Sequence, residues 1–131
     1  MIAGFAAQER PRRVLGIDAS ATVEQTWNQI ARIARGTAAA IGLGRELRDD
    51  EIVLLDEWHA GTYGIPDAKT IAAIRLCARL EGVLTDPVYE GKSLAGLIDL
   101  VSSREIPATS NVLYAHLGGQ LALNAYSGLF R

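Results

Sequence analysis

The sequence has almost no cysteine and very little lysine. Cys77 is the only cysteine among 131 residues, so no disulfide can form within the chain. This pattern is typical of a reducing compartment and predicts a cytoplasmic protein. Lysine occurs only at Lys69 and Lys92, and the arginines are scattered along the chain. The sequence therefore lacks the basic arm or tail that many nucleic-acid-binding proteins use.

Charge and hydropathy exclude further classes of protein. Thirteen basic against 15 acidic residues give a net charge of −2, which argues against a nucleic-acid surface. No apolar run approaches the length of a membrane span, and the apolar segment 1–7 is too short for a secretion signal. We therefore expect a soluble protein without a membrane partner. One cysteine and the isolated His59 and His116 give no metal-ligand spacing, so no metal site is predicted.

The hydrophobic pattern predicts one domain in which strands and helices alternate. Hydrophobic residues make up 49% of the chain, which suffices for a core. Short apolar runs predict strands at 14–19, 51–55 and 111–117, and a short strand with a turn within 83–91. Helical periodicity predicts helices over 22–41 and 67–82, a third from residue 92 or 93, and a last one to about residue 129. This order predicts the α/β class, with a three-layer parallel sheet flanked by helices.

Several residues mark where these helices begin and end. Thr22 and Gln25 have the spacing of a capping box, and Asp67 is a predicted N-cap. Gly82 is expected to end the second helix. That helix is apolar nearly all round, so we expect it to be well buried. Ligands of such folds bind beyond the carboxyl ends of the strands, which makes the turns at those ends the candidate site.

Two motif matches near residue 91 fail on inspection. The tripeptide Gly91-Lys92-Ser93 resembles the end of a phosphate-binding loop, but Asp86 occupies the position where that motif needs glycine. The spacing from Ser93 to Gly96 is one residue too long for a nucleophile elbow. Neither an ATP site nor a serine hydrolase is therefore predicted.

The turn before residue 92 has a second interpretation. Tyr89 and Glu90 lie side by side at a predicted strand end, next to the start of a helix. A carboxylate is favoured near a helix N-terminus for structural reasons alone, and the tyrosine could serve only in packing. A tyrosine and a carboxylate at this place are also suited to acid–base chemistry.

A series of segments in a fixed order decides between these interpretations. They are GIDAS (16–20), YGIP (63–66), AIRLCARLEG (73–82), DPVYEGKS (86–93), AGLID (95–99), VLYAHLGG (112–119) and ALNAYS (122–127). These segments closely resemble the C-terminal part of the 1-aminocyclopropane-1-carboxylate deaminase and D-cysteine desulfhydrase family. That family consists of pyridoxal-phosphate enzymes similar to the tryptophan synthase β subunit. The resemblance implies that residues 1–131 are the C-terminal portion of the large domain of such an enzyme.

The resemblance also implies a branch and a reaction. Deaminases of this family carry Glu after the tyrosine of the turn and Leu before the paired glycines, whereas desulfhydrases tend to have hydroxyl residues there. Glu90 and Leu117 therefore place the chain closer to the deaminases. The implied activity opens the cyclopropane ring of a small amino acid and releases 2-oxobutanoate and ammonia. The implied cofactor is pyridoxal 5'-phosphate.

The chemistry gives the matching residues their implied roles. The substrate's α carbon bears no hydrogen, so the ring must be opened by a nucleophile or by removal of a ring proton. By resemblance, Glu90 keeps the pyridine nitrogen of the cofactor protonated, which strengthens its capacity to accept electrons. Tyr89 and Tyr63 are implied as the catalytic tyrosines, and their pKa would have to be lowered from about 10. Leu117 would shape the substrate pocket, and Gly118 and Gly119 would let the backbone approach the cofactor ring.

The same resemblance implies what these 131 residues lack. The family's Schiff-base lysine, its phosphate loop and its smaller domain lie in an N-terminal segment, and neither Lys69 nor Lys92 has that lysine's context. We therefore expect the chain alone to be inactive and, with an open sheet edge, prone to associate. The complete enzyme is expected to be a homo-oligomer. D-cysteine desulfhydrase activity and a non-catalytic α/β module remain alternatives. The loop 58–62 departs from the family pattern and could shift Tyr63.

Overall fold

The structure is a computed structural model that describes residues 1–10 and 12–130. Within these described residues, two strands and four α-helices follow one another. They are α1 (Ile2–Ala6), β1 (Leu15–Ile17), α2 (Val23–Ala40), β2 (Val53–Leu55), α3 (Ala68–Glu81) and α4 (Glu90–Ser102). Short 3-10 turns lie at Asp49–Glu51, Gln120–Asn124 and Ser127–Phe130.

The sheet consists of β1 and β2, which run parallel. Leu15 pairs with Val53 and Ile17 with Leu55. Parallel strands need a crossover connection, and α2 supplies it. This helix packs on β2, while α4 packs on β1. The predicted α/β class, with a parallel sheet flanked by helices, is confirmed.

The core is divided into two clusters of buried side chains. The larger cluster lies among the sheet, α3 and α4, and the smaller one lies between α1 and α2. The larger contains Trp58, Ala73, Leu94, Ala95 and Leu100. The smaller contains Ala3, Ala34, Ala38 and Leu47. The Trp58 indole N–H donates to Asp99 at 2.8 Å, so its one polar atom is satisfied inside the larger cluster.

The predicted helix ends are mostly confirmed. The Asp67 side chain accepts a hydrogen bond from the Thr70 amide at 2.8 Å, which is the expected N-cap. Gly82 ends α3 with a φ of 66°, in the left-handed region. Thr22 is the N-cap of α2, but its side chain makes no capping bond and instead lies 2.8 Å from the Ser20 hydroxyl. The predicted capping box is therefore wrong.

Two predicted strands do not form among the described residues. In 83–91 the Asp86 carboxylate accepts the amides of residues 88–90, so these groups cap a helix and cannot join a ladder. In 111–117 the backbone is extended but unpaired, because no described strand lies alongside it. Instead, the Leu117 amide donates to the Glu90 side chain. A strand needs a neighbour as well as a suitable sequence.

The predictions for α3 and for the C-terminal helix also need correction. Leu76 and Leu80 of α3 are 41% and 67% exposed, because α4 covers only one face of this helix. The expectation that α3 is well buried is therefore wrong. The C-terminal helix is replaced by two short 3-10 turns with i to i+3 hydrogen bonds, such as that from Ala122 to Gly119. No helix among residues 1–10 and 12–130 is both long and apolar enough to cross a membrane.

Candidate active site

Asp86 organises the start of α4. Its carboxylate is fully buried and accepts three backbone amides, those of Val88 (2.7 Å), Tyr89 (2.9 Å) and Glu90 (3.0 Å). Its own carbonyl accepts the Gly91 amide at 2.7 Å. A charged acceptor is favoured at a helix N-terminus, where amides are otherwise unpaired. Asp86 thereby fixes the backbone from which the Tyr89 and Glu90 side chains project.

The Glu90 side chain is buried and joins α4 to the extended segment after residue 110. Only 7% of Glu90 is exposed. One carboxylate oxygen, Oε1, accepts the Leu117 amide at 2.7 Å, and the other, Oε2, shares the Tyr114 hydroxyl (3.1 Å) with the Glu90 carbonyl (2.8 Å). The Tyr114 hydroxyl also lies 2.8 Å from the Ser93 hydroxyl, and its burial raises the pKa of Tyr114. Glu90 is therefore held in one orientation and is not a solvated surface charge.

His116 lies beside Glu90, and both of its ring nitrogens make hydrogen bonds. Its Nδ1 accepts the Gly118 amide at 3.2 Å, so the proton is assigned to Nε2, which donates to the Leu84 carbonyl at 2.8 Å. Nδ1 lies 3.7 Å from Glu90 Oε2, but with this tautomer both atoms are acceptors. The pair is therefore not a salt bridge in this arrangement, and the histidine serves to shape the segment before the glycines.

The structure brings Tyr63 and Tyr89 together. Their hydroxyl groups are hydrogen-bonded, and their ring centroids lie 5.8 Å apart in an edge-to-face arrangement. Both side chains are about half exposed, at 54% and 51%. The hydrogen bond to Tyr63, with partial burial, raises the pKa of Tyr89. The lowered pKa that the chemistry requires is thus not produced for Tyr89 by this pair.

The paired glycines and Leu117 complete the set of predicted residues. Gly118 and Gly119 have φ values of 114° and 88°, which L side chains rarely adopt. A Cβ at Gly119 would lie 2.5 Å from Asp86 Oδ2, whereas one at Gly118 would contact nothing within 4 Å. Leu117 is 81% exposed. Of the predicted residues, Tyr63, Tyr89 and Leu117 are thus exposed, whereas Glu90 is buried.

Lys92, two residues after Glu90, is completely buried. Its ammonium group donates to three carbonyls, those of Ala19 (3.1 Å), His59 (2.7 Å) and Thr62 (3.1 Å). Burial lowers the pKa of Lys92, and the charges of Asp67 and Asp18 oppose that shift. All three protons of the ammonium are thus used within the fold. Among the described residues, no group of three or more His, Cys, Asp or Glu side chains could hold a metal ion.

Sequence reasoning missed three contributors to the site. Asp86 was read only as the residue that breaks a phosphate-loop motif, although an Asp-Pro pair ahead of a helix is itself a turn and capping signal. Tyr114 lies in a segment predicted to be a strand. Lys92 is expected near the site as a structural residue at a helix start, but its three acceptors come from distant segments and have no sequence signal.

The sequence pattern of the family described as pyridoxal-phosphate dependent enzymes matches residues 1–118. The chain belongs to this family. The match covers the whole site up to Gly118 and includes both tyrosines and Glu90. Enzymes of the family depend on pyridoxal phosphate, which agrees with the cofactor expected from the sequence.

Close relatives and a solved structure agree with this assignment. Proteins named 1-aminocyclopropane-1-carboxylate deaminase are 60% identical in Variovorax paradoxus and in Ralstonia nicotianae, and 58% identical in Pseudomonas syringae pv. syringae. Each match covers all 131 residues of the chain and 39% of the relative. A crystal structure of an ACC deaminase homologue superposes with a TM-score of 0.77 at 26% identity, over 98% of this chain and 39% of that one. The chain thus spans about two-fifths of the length of these proteins.

The site residues are compatible with part of a pyridoxal-phosphate site. A buried carboxylate held by two donors is an acceptor suited to a protonated ring nitrogen, and each of its oxygens has a further lone pair. The open space at Gly118 leaves the neighbouring backbone accessible. Neither lysine is available to bind the cofactor covalently, because Lys92 donates to three carbonyls and Lys69 pairs with Asp99 at 2.7 Å. Residues 1–10 and 12–130 thus fit one side of the cofactor site.

Proposed function

We propose that the chain is the C-terminal part of a 1-aminocyclopropane-1-carboxylate deaminase, which converts its substrate to 2-oxobutanoate and ammonia. The observation that carries this proposal is the Tyr63–Tyr89 hydroxyl pair, next along the chain to a buried and oriented Glu90. The identity of 57–60% to deaminases over all 131 residues supports it. The substrate is a small amino acid, and the fixed Glu90 and Leu117 favour the deaminase over the desulfhydrase branch.

In this proposal each residue has a distinct task. The cofactor, when bound, supplies the electron-accepting ring. The Glu90 carboxylate, which Tyr114 and the Leu117 amide hold in place, would keep the ring nitrogen of the cofactor protonated. Tyr89 and Tyr63 share one hydrogen bond, so a proton can pass between their hydroxyls when one of them reacts. Leu117, which is 81% exposed, contributes an apolar wall on the substrate side.

The remaining parts of the site come from outside residues 1–131 in this proposal. Tyr63 and Tyr89 are about half exposed, and this arrangement does not exclude water. Two surface cavities of about 350 and 370 Å³ lie elsewhere, beside Arg13 and Leu43 respectively. A cofactor-binding lysine and the opposite wall would have to be supplied by a segment equivalent to the other three-fifths of the relatives. We propose that the complete protein is a homo-oligomer, as the family resemblance implies. We also propose a reducing, cytoplasmic environment, which the single cysteine of these 131 residues favours.

A chimera tests this proposal directly. Residues 1–131 replace the matching segment of the Variovorax paradoxus relative, and 2-oxobutanoate is measured with 1-aminocyclopropane-1-carboxylate and with D-cysteine. We expect turnover of the cyclopropane substrate, and we expect Tyr89→Phe and Glu90→Gln to reduce kcat by at least about 100-fold, as loss of an acid–base group does. Glu24→Gln, at an exposed position of α2, is the matched control.

The outcomes separate the alternatives. Predominant turnover of D-cysteine would favour the desulfhydrase branch. A folded chimera that binds the cofactor and turns over neither substrate would favour the alternative that the chain is a non-catalytic α/β module. Assay of the 131 residues alone, with added cofactor, is expected to give no product. Ammonia release by this chain alone would show that it carries a complete site.

A further inference from the structure

We infer that Lys92 is the positioning residue that sets the distance between the two tyrosine hydroxyls of the proposed active site. This inference rests on the proposed function, although its structural part does not. Lys92 is completely buried on the first turn of α4, three residues after Tyr89. Its ammonium group contacts the carbonyl of Thr62, the residue directly before Tyr63. Lys92 therefore contacts the loop that carries Tyr63 and belongs to the helix that begins directly after Tyr89.

The contacts of Lys92 close a ring through the site. From Lys92 the ring runs along α4 to Tyr89, across the hydroxyl contact to Tyr63, and back through the Thr62 carbonyl. The loop before Tyr63 contains Gly61 and Gly64, both with positive φ values of 74° and 76°. Within the loop, the Gly61 amide donates to His59 Nδ1 at 2.8 Å and the Ile65 amide to the Thr62 carbonyl at 3.3 Å, and the Tyr126 hydroxyl donates to the Gly64 carbonyl at 2.6 Å. Two of its carbonyls, those of His59 and Thr62, are fixed by the Lys92 ammonium at 2.7 and 3.1 Å.

The charge of Lys92 is needed for this role. Three carbonyls converge on Nζ, and only the ammonium form has three protons to donate. Removal of the ammonium would leave the Ala19 and His59 carbonyls without their donor and the Thr62 carbonyl with only the Ile65 amide at 3.3 Å. Because Tyr63 is itself about half exposed, its position depends on the hydrogen bonds of its loop more than on packing.

The central test is a double-mutant cycle in the chimera. We expect Lys92→Met to reduce kcat about 10- to 100-fold with little change in KM, the effect of misplacing a catalytic group. In the Tyr63→Phe background the same substitution should have almost no further effect, since the group that Lys92 positions is already absent. The control Lys69→Met, which removes the other lysine from the exposed surface of α3, should leave kcat unchanged.

A second readout does not depend on activity. The rings of Tyr63 and Tyr89 lie edge to face with centroids 5.8 Å apart, so Lys92→Met should weaken the near-ultraviolet circular dichroism of this ring pair at neutral pH. Tyr89→Phe assigns the signal, and Tyr63→Phe should abolish the part that Lys92→Met weakens. An inactive parent chimera would refute the proposed function, and the spectrum would still test Lys92.

The outcomes are decisive for Lys92. Native kcat in Lys92→Met, losses that multiply with those of Tyr63→Phe, or an unchanged near-ultraviolet signal of the tyrosine pair would each overturn the inference. If Lys92→Met does not fold, Lys92→Arg is used in its place. Its planar guanidinium keeps the charge but cannot converge on three carbonyls as an ammonium does. We expect Lys92→Arg to fold and to show the same two effects to a smaller degree, and native values of both would refute the inference.

Discussion

The two sides of the candidate site are stabilised in different ways. On one side, residues 85–96 are largely buried, and the charged groups of Asp86, Glu90 and Lys92 are paired with the backbone of this chain. On the other side, residues 111–130 are mostly exposed, and a few contacts attach them to the rest. Both sides carry predicted site residues. The comparison shows that a helix start forms without a neighbouring segment when its backbone groups have hydrogen-bond partners within the chain. An extended segment needs a neighbouring strand before it can form a ladder.

The largest effect is expected from Asp86 on the buried side. Asp86→Ala removes the acceptor of three amides and leaves them buried, so the free energy of unfolding should fall by about 3 kcal/mol or more. Urea unfolding followed by circular dichroism measures it. Asp67→Ala is the matched control, because it removes a similar cap at the more exposed start of α3, where we expect a loss of about 1 kcal/mol. Equal losses would show that burial of the Asp86 cap is unimportant.

Gly119 is where the exposed side contacts the buried side most closely. Gly119→Ala should lower the free energy of unfolding by about 2 kcal/mol or more, because the new Cβ would both strain a φ of 88° and clash with the Asp86 carboxylate. Gly42→Ala separates the two causes, since Gly42 has a φ of 69° and open space around it. We expect about half the loss there. A loss at Gly119 no greater than at Gly42 would contradict the close approach.

Tyr114 tests the hydrogen bonds that attach the extended segment. Tyr114→Phe removes a hydroxyl that donates to Glu90 and contacts Ser93, and we expect a loss of about 1–2 kcal/mol in the free energy of unfolding. Hydrogen exchange at the Leu117 amide should become faster, because Glu90 loses its second partner. Tyr126→Phe, which removes a single hydroxyl bond to the Gly64 carbonyl, should leave the Leu117 amide unchanged. An unchanged exchange rate of the Leu117 amide in Tyr114→Phe would show that Tyr114 does not help to hold Glu90 against this amide.

The smallest effect on stability is expected on the exposed side itself. Leu113 and Leu121 are 81% and 85% exposed, so Leu113→Ser and Leu121→Ser should change the free energy of unfolding by less than about 0.5 kcal/mol. The same substitutions should reduce self-association of the 131-residue chain, because exposed apolar surface next to an unpaired strand promotes it. Sedimentation velocity measures the association. A monomeric parent chain would refute the predicted tendency to associate.

Local signals in the sequence were sufficient for much of the fold. The strands at β1 and β2, the ends of α3 and the α/β class follow from apolar runs, an Asp N-cap and a terminal glycine, which act over a few residues. The segment 111–117 has the same kind of signal but forms no strand. Its pattern specifies an extended chain, while pairing depends on a neighbour that residues 1–10 and 12–130 do not supply.

The candidate site was predicted by resemblance rather than by local physics. Tyr63, Tyr89 and Glu90 were identified because their segments match a family, and their proximity could not be derived from spacing, since Tyr63 and Tyr89 are 26 residues apart. Asp86 was given no role in the site, and Lys92 was expected near it only as a structural residue at the start of a helix. A buried charge gives no sequence signal of its own, because its partners are backbone groups that any residue carries.

The sequence by itself determined the alternation of strands and helices, the turn before α4 and the family of the chain, since these depend on residue type and order. Only the tertiary structure decided which charges are buried and which atoms they contact. It placed the Lys92 ammonium among three carbonyls from two distant segments and joined the Tyr63 and Tyr89 hydroxyls. The reason is physical: desolvated charges must find acceptors in space, and those acceptors come from whichever segments the fold brings together.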